Sequence, residues 1–198
     1  MPNIPPHSGA SEQFQLIHDD AIVHYTIDSE DIIRYVSPSW DRFALKNAGE
    51  NVLSEEVVGR SVWDFVINIE TRHLYQTIAA RIRAGRSPAK FPFRCDSPDR
   101  RRFMQMEMKP ANENGIEFVS EILREEAREP IALLDQHVPR SDKCLVMCSW
   151  CKKVETASAW IEVEEAIIVL QLFGEQASPQ ISHTMCDSCL AQYTQDPL

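Results

Sequence analysis

Hydrophobic and polar positions alternate with two different periods along this chain, and the changes of period mark its elements. Ala21 to Ile27 and Ile32 to Val36 read as short strands joined by the polar turn Asp28 to Asp31, an antiparallel hairpin. Ser37-Pro38-Ser39 then supplies capping and first-turn chemistry for a helix that places Trp40, Phe43 and Ala44 on one face and stops at Asn47 and Gly49. Mixed periodicity from Val57 to Val66 predicts a short helix or turn around Val62, Trp63 and Phe65. From Glu70 to Ala84 the helical spacing is clear, with Leu74, Ile78 and Ile82 on one face and Gly85 as the stop.

After Gly85 the period shortens to two. Phe91, Phe93 and Cys95 alternate with Pro92 and Arg94, the segment 96–100 turns, and Met104, Met106 and Met108 alternate with Phe103, Gln105 and Glu107. The run Asn112-Glu113-Asn114-Gly115 turns into a last strand, Ile116 to Leu123. Five strands with helices inserted between the second and third predict an α+β fold: a five-stranded antiparallel sheet with helices on one face. The charged start of the segment 125–143 and its Ile131 to Leu134 predict a linker with a short helix between this domain (21–124) and a small C-terminal module (144–198). Residues 1–20 are expected to be a flexible segment, with Phe14, Leu16 and Ile17 as its apolar cluster.

The chemistry concentrates in the module. Cys148-Ser149-Trp150-Cys151 is matched by Cys186-Asp187-Ser188-Cys189. Each C-x-x-C turn puts two sulfurs on one side of a tight loop, and two such turns offer four thiolates in the tetrahedral arrangement that zinc prefers. Four protein ligands close the site, so the ion is expected to be structural, with iron as the rival. His183 is placed to hydrogen-bond a sulfur from behind the ligands or to replace one of them. Lys152 and Lys153 offset the charge of the thiolates or are plain surface lysines, and Cys95 and Cys144 read as small buried hydrophobes. Trp160, Val163, Ile167 and Leu170 predict one amphipathic helix packed on the cysteine turns. Two disulfides would use the same residues, but the opening MPNIPPHSGASEQ has no apolar signal-peptide core, and a reducing cytoplasm is the expected setting.

Composition narrows the partners. With 198 residues and 43% hydrophobic content the chain can bury a proper core, and no apolar run reaches membrane-spanning length. A net charge of −10 argues against nucleic acid as a partner, and Arg81, Arg83 and Arg86, like Arg100 to Arg102, are expected to be solvated. No Ser-His-Asp arrangement, phosphate-cradling glycine loop or open three-ligand site is present, so no enzymatic activity is expected.

Residues 21 to about 124 resemble a PAS domain in the order of their elements. The resemblance is carried by Val36-Ser37-Pro38-Ser39-Trp40 at a helix entry, by the segment from Glu56 through Gly59 to Trp63-Asp64-Phe65, and by the long helix ending at Gly85. The tail, through residues 147–153, 160–165 and 181–189, resembles the cysteine-pair module that ends some bacterial PAS-containing signalling proteins. These resemblances imply a bacterial sensor or adaptor, a homodimer that signals through protein contacts. A small-molecule ligand is compatible with that reading, its pocket walls expected from Trp63, Phe91, Phe93, Met104, Met106 and Met108. The methionine face could also take a soft metal, although flexible core filler is the commoner role. His73 lies on the helix where certain haem-binding relatives place an axial histidine, but Thr71 to Tyr75 carries no haem signature, so haem is not favoured. The rival readings are a thiol-based redox switch and a zinc-assisted DNA-binding regulator.

Overall fold

A computed structural model of the chain describes residues 21–66, 68–172 and 177–195, with side chains described to residue 192. The expected N-terminal flexible segment and its Phe14, Leu16 and Ile17 lie outside these residues. Strands β1 (Ile22–Ile27) and β2 (Ile33–Val36) form the first hairpin. Its turn is held by Asp28, whose Oδ1 accepts the backbone N–H groups of Glu30 (2.8 Å) and Ile32 (3.0 Å). Helices α1 (Pro38–Lys46), α2 (Ser54–Val57) and α3 (Ile69–Arg83) follow, then β3 (Ala89–Arg94), β4 (Arg100–Pro110) and β5 (Ile116–Ala127). All pairings are antiparallel and the strand order is β2-β1-β5-β4-β3. The fold is therefore α+β and PAS-like, with the helices inserted where the change of period places them.

Local chemistry explains the boundaries. Asn68 caps α3 by accepting the N–H of Thr71 (2.8 Å), and Gly85, at φ +82°, closes the helix by donating to Ile82 O. Ser37 stands at the N-cap of α1, but its hydroxyl bonds Ser39 Oγ (2.7 Å) and accepts the N–H of His24 (3.1 Å). It ties the helix start to β1 instead of capping the helix. The inner face of β4 carries Met104, Met106 and Met108, all buried, and Met108 with Phe118, Ile27, Ile78 and Ile116 forms the middle of the core.

The C-terminal part builds a second sheet of order β8-β7-β6-β9 from β6 (Arg140–Cys148), β7 (Val154–Glu155), β8 (Trp160–Ile161) and β9 (Ser178–Thr184). Strands β6 and β9 run parallel, connected through β7, β8 and helix α4 (Val163–Val169), and α5 (Asp187–Gln195) ends the described chain. The helix expected from Trp160 onward starts later. Trp160 pairs with Glu155 in the β7–β8 ladder, and Glu162 is the extended residue that precedes α4. Nor does α4 pack on the cysteine turns: Val163 and Ala166 join Ile131, Leu133, Met147 and Val154 in a separate cluster. Within the segment 125–143, β5 continues to Ala127, one 3-10 turn spans Ala132–Leu134, and β6 has begun by Arg140. Ile131 and Leu133 are buried there, so the segment is a packed connection.

Candidate metal centre

Four sulfurs meet where the two sheets join. Cys148 ends β6, Cys151 follows in the turn to β7, Cys186 lies between β9 and α5, and Cys189 stands in the first turn of α5. The parallel pairing of Met147 with His183 and of Cys148 with Thr184 brings the two C-x-x-C segments side by side. Their Sγ atoms all lie within 4.8 Å of one another, with Cys151 and Cys186 at 3.7 Å. A tetrahedron with metal–sulfur bonds of about 2.3 Å has edges of about 3.8 Å, so the quartet fits a four-coordinate zinc-type ion. Among the described residues all six cysteines are free thiols, and Cys148, Cys186 and Cys189 are buried.

The first turn is shaped for this. Cys148 N–H donates to Lys153 O (2.8 Å), Lys152 N–H to Cys148 O (3.1 Å), and Lys152 takes φ +60° to complete the turn. Cys186 N–H points at Cys148 Sγ (3.4 Å), an arrangement that favours the thiolate. Hydrogen bonding from the Cys151 and Cys189 thiols holds Cys148 far below the ordinary thiol range. The same shared hydrogen bond pushes Cys151 up to about 11, and Cys189 is also raised by Cys148 and Cys151. Cys148 is thus the sulfur that carries negative charge, and the Cys151 and Cys189 thiols hydrogen-bond to it with protons that a bound cation would displace.

His183 is half-buried on β9 and lies outside the quartet, its pKa lowered by burial and then by Lys152. Lys152 is not a plain surface lysine: its ammonium donates to Ser149 O (2.8 Å), and burial lowers its pKa. Cys144 is exposed, against the expectation of a buried residue, because it lies on the solvent side of β6. Cys95 is half-buried, and burial pushes its thiol up.

The six residues expected to wall a pocket are placed differently. Phe91 is buried and stacks flat on Trp150, with ring centroids 4.8 Å apart and planes 1° from parallel. Trp63 is half-buried and donates its indole N–H to Asp31 Oδ2 (2.6 Å). Phe93 is half-buried, and Met104, Met106 and Met108 are buried in the core. A cavity of about 1000 Å³ lies elsewhere, between the end of α1, the β3–β4 turn and residues 134–137, and none of the six lines it. His73 is exposed on α3.

Trp150 and the arginine–carboxylate cluster beside it have no periodic signature in the sequence. Asp96, with its carboxylate buried, binds Arg94 and also Arg128 (3.2 Å). Arg94 reaches on to Glu162 (2.6 Å), while Arg101 and Arg128 reach Glu164 (2.8 and 3.2 Å). These ion pairs connect the β3–β4 turn and the end of β5 to the start of α4. Arg102, expected in solvent, is buried and bonds Glu125 (2.9 Å), and Arg83 bonds Asp31 (2.8 Å). The triple arginine run gave a signal of positive charge, but which strand faces would turn inward depended on the register of β4 with β5.

No family model matches this chain, and neither does any curated protein. Solved structures similar to it include the PAS domain of BvgS from Bordetella pertussis, 15% identical, covering 57% of this chain and 84% of that one, with a TM-score of 0.35. A sensory box sensor histidine kinase from Vibrio cholerae is 9% identical and covers 59% and 96%, with a TM-score of 0.41. A PAS domain from a two-component sensor histidine kinase is 13% identical and covers 61% and 100%, with a TM-score of 0.30. Likenesses of this degree say nothing of activity, and the PAS-like assignment stands on the strand order and helix placement of the chain itself. Among the described residues no helix is long and apolar enough to cross a membrane.

Proposed function

We propose that this chain is a bacterial cytoplasmic signalling sensor or adaptor without catalytic output. Its PAS-like domain would serve ligand sensing or dimerisation, and its C-terminal sheet, closed by a structural zinc ion on Cys148, Cys151, Cys186 and Cys189, would serve protein interaction. The observation that carries the reading is the closed all-cysteine quartet joined to a PAS-like sheet, with Sγ atoms within 4.8 Å. Four thiolates leave no open coordination position for a substrate or an activated water, so bound zinc supplies cross-linking of β6, its following turn and the start of α5. The test is elemental analysis of the purified chain together with its mass in solution. About one zinc per chain and a dimer support the reading. A metal-free chain whose cysteines pass reversibly between thiol and disulfide would replace it with the redox-switch reading.

A further inference from the structure

The turn that supplies two of the four sulfurs also supplies the side chain that covers the edge of the PAS-like core. Trp150 lies between Cys148 and Cys151, is 3% exposed, and stacks on Phe91 of the edge strand β3. Its carbonyl accepts the N–H of Arg94 (2.7 Å), a donor that an edge strand otherwise leaves for water or another chain. One residue earlier, Ser149 Oγ donates to Asn68 Oδ1 (3.3 Å), the atom that caps α3. The same hydrophobic cluster contains Cys148, Trp150, Cys186 and Cys189 together with Ile78, Met106 and Phe118. The metal centre is therefore embedded in the core of the PAS-like domain.

We infer that the β3 edge and the start of α3 form a docking site for the chain's own Cys148–Cys151 turn, and that the bound metal holds the turn there. The inference rests on the proposed metal reading. The conformation of the turn is set by sulfurs on either side of Trp150 and by a left-handed Lys152, and it has no glycine to make that backbone easy. With the metal bound, all four sulfurs are pinned and the indole is fixed over Phe91. Once the metal is withdrawn, the four sulfurs are no longer tied to one ion, the turn relaxes, and Phe91, Arg94 N–H and the cap of α3 lose their partner together. The ordering of the PAS-like domain thus reports the metal state of the tail, and the tail is the input to the domain.

Hydrogen exchange on the full-length chain, with metal counted before and after treatment with a chelator, tests this. Chelation is expected to speed exchange in residues 89–94 and 69–74 by at least about tenfold, along with exchange in the tail. Trp150→Ala with its metal retained should show the faster exchange in 89–94 and 69–74 already, with little further change there on chelation, whereas Trp150→Phe should keep the protection. A chain that carries about one metal ion and responds to chelation only within residues 140–195 overturns the coupling and leaves the metal reading intact. Failure to hold metal, even after incubation with zinc, overturns both.

Discussion

Asp31 binds Arg83 and Trp63 through its two carboxylate oxygens: Arg83 Nη2 lies 2.8 Å from Oδ1, and Trp63 Nε1 lies 2.6 Å from Oδ2. One residue of the first hairpin turn thereby fixes the C-terminal end of α3 and the 3-10 turn at Val62–Asp64. Asp31 also adopts φ +64°, a conformation that aspartate and asparagine tolerate better than most residues. Replacing it by alanine removes both acceptors, leaves a partly buried guanidinium without its carboxylate, and adds strain at the backbone. Asp31→Ala is expected to cost about 2–3 kcal/mol and Asp31→Asn about 1 kcal/mol, read as shifts in the urea midpoint at constant slope. Equal losses for the two would show that the charge matters and the backbone conformation does not.

Cys148 ends β6 and Cys189 follows its parallel neighbour β9, so a metal bound to both joins the end of β6 to the start of α5. Cys148→Ser or Cys189→Ser should reduce the bound metal from about one ion per chain to near zero and loosen residues 140–195, seen as protease cleavage there. A serine variant that keeps both its metal and its protease resistance would remove the structural role from that residue.

The PAS-like half was the more legible from sequence because each of its elements has a period of its own. The strand pair 22–27 and 33–36, the helix ending at Gly85 and the alternating methionines of β4 fall where the pattern puts them. The four cysteines were legible for a different reason: spacing within each pair fixes their local geometry before any tertiary contact forms. What failed needed partners far away in the sequence. Trp160 and Val163 keep helical spacing, yet Trp160 joins a strand because Glu155 is there to pair with it. Trp150 carried no period at all, and only the approach of Phe91, 59 positions earlier in the numbering, shows its role. Arg102 looked like solvent charge until the register against β5 set Glu125 opposite it.

The methionine face separates a packed core from an open pocket by energy. Met108 is fully buried against a core that includes Phe118 and Ile78. If the space is filled as described, Met108→Ala leaves a cavity and costs about 2–4 kcal/mol. A methionine that merely lined an open ligand pocket would cost far less on truncation, so a loss below about 1 kcal/mol in thermal or urea unfolding would restore the pocket reading.

Gly115 is required for space, and Gly85 for conformation. A Cβ on Gly115 would stand 2.5 Å from Ile27 O and 3.0 Å from Asn112 O, both backbone atoms that cannot turn aside. Gly85 has open space around it and pays only for φ +82°. Gly115→Ala should therefore destabilise the domain by about 2 kcal/mol or more, and Gly85→Ala by about 1 kcal/mol. The reverse order in denaturant unfolding would show that the 112–115 turn can move away from β1.

Glu164 provides a pH test of the ion-pair cluster that joins the two sheets. Burial raises its pKa, but its own backbone N–H and the hydrogen bonds from Arg128 and Arg101 outweigh burial and leave it below the ordinary glutamate value. A folded-state pKa below the unfolded one means that ionised Glu164 contributes stability above the unfolded value, near pH 4.5, and loses it as pH falls through the folded value. Its side chain is 38% exposed, so solvent screening holds the contribution to below about 1 kcal/mol. Glu164→Gln should thus be slightly less stable than the parent at pH 7, and the difference should shrink as pH falls below about 4.5 and through the folded value. Comparing the two proteins at each pH cancels every acid-dependent change that they share. A difference that stays constant as pH falls from 7 through the folded value would mean that Glu164 acts through shape and hydrogen bonding, with its charge contributing nothing to the junction.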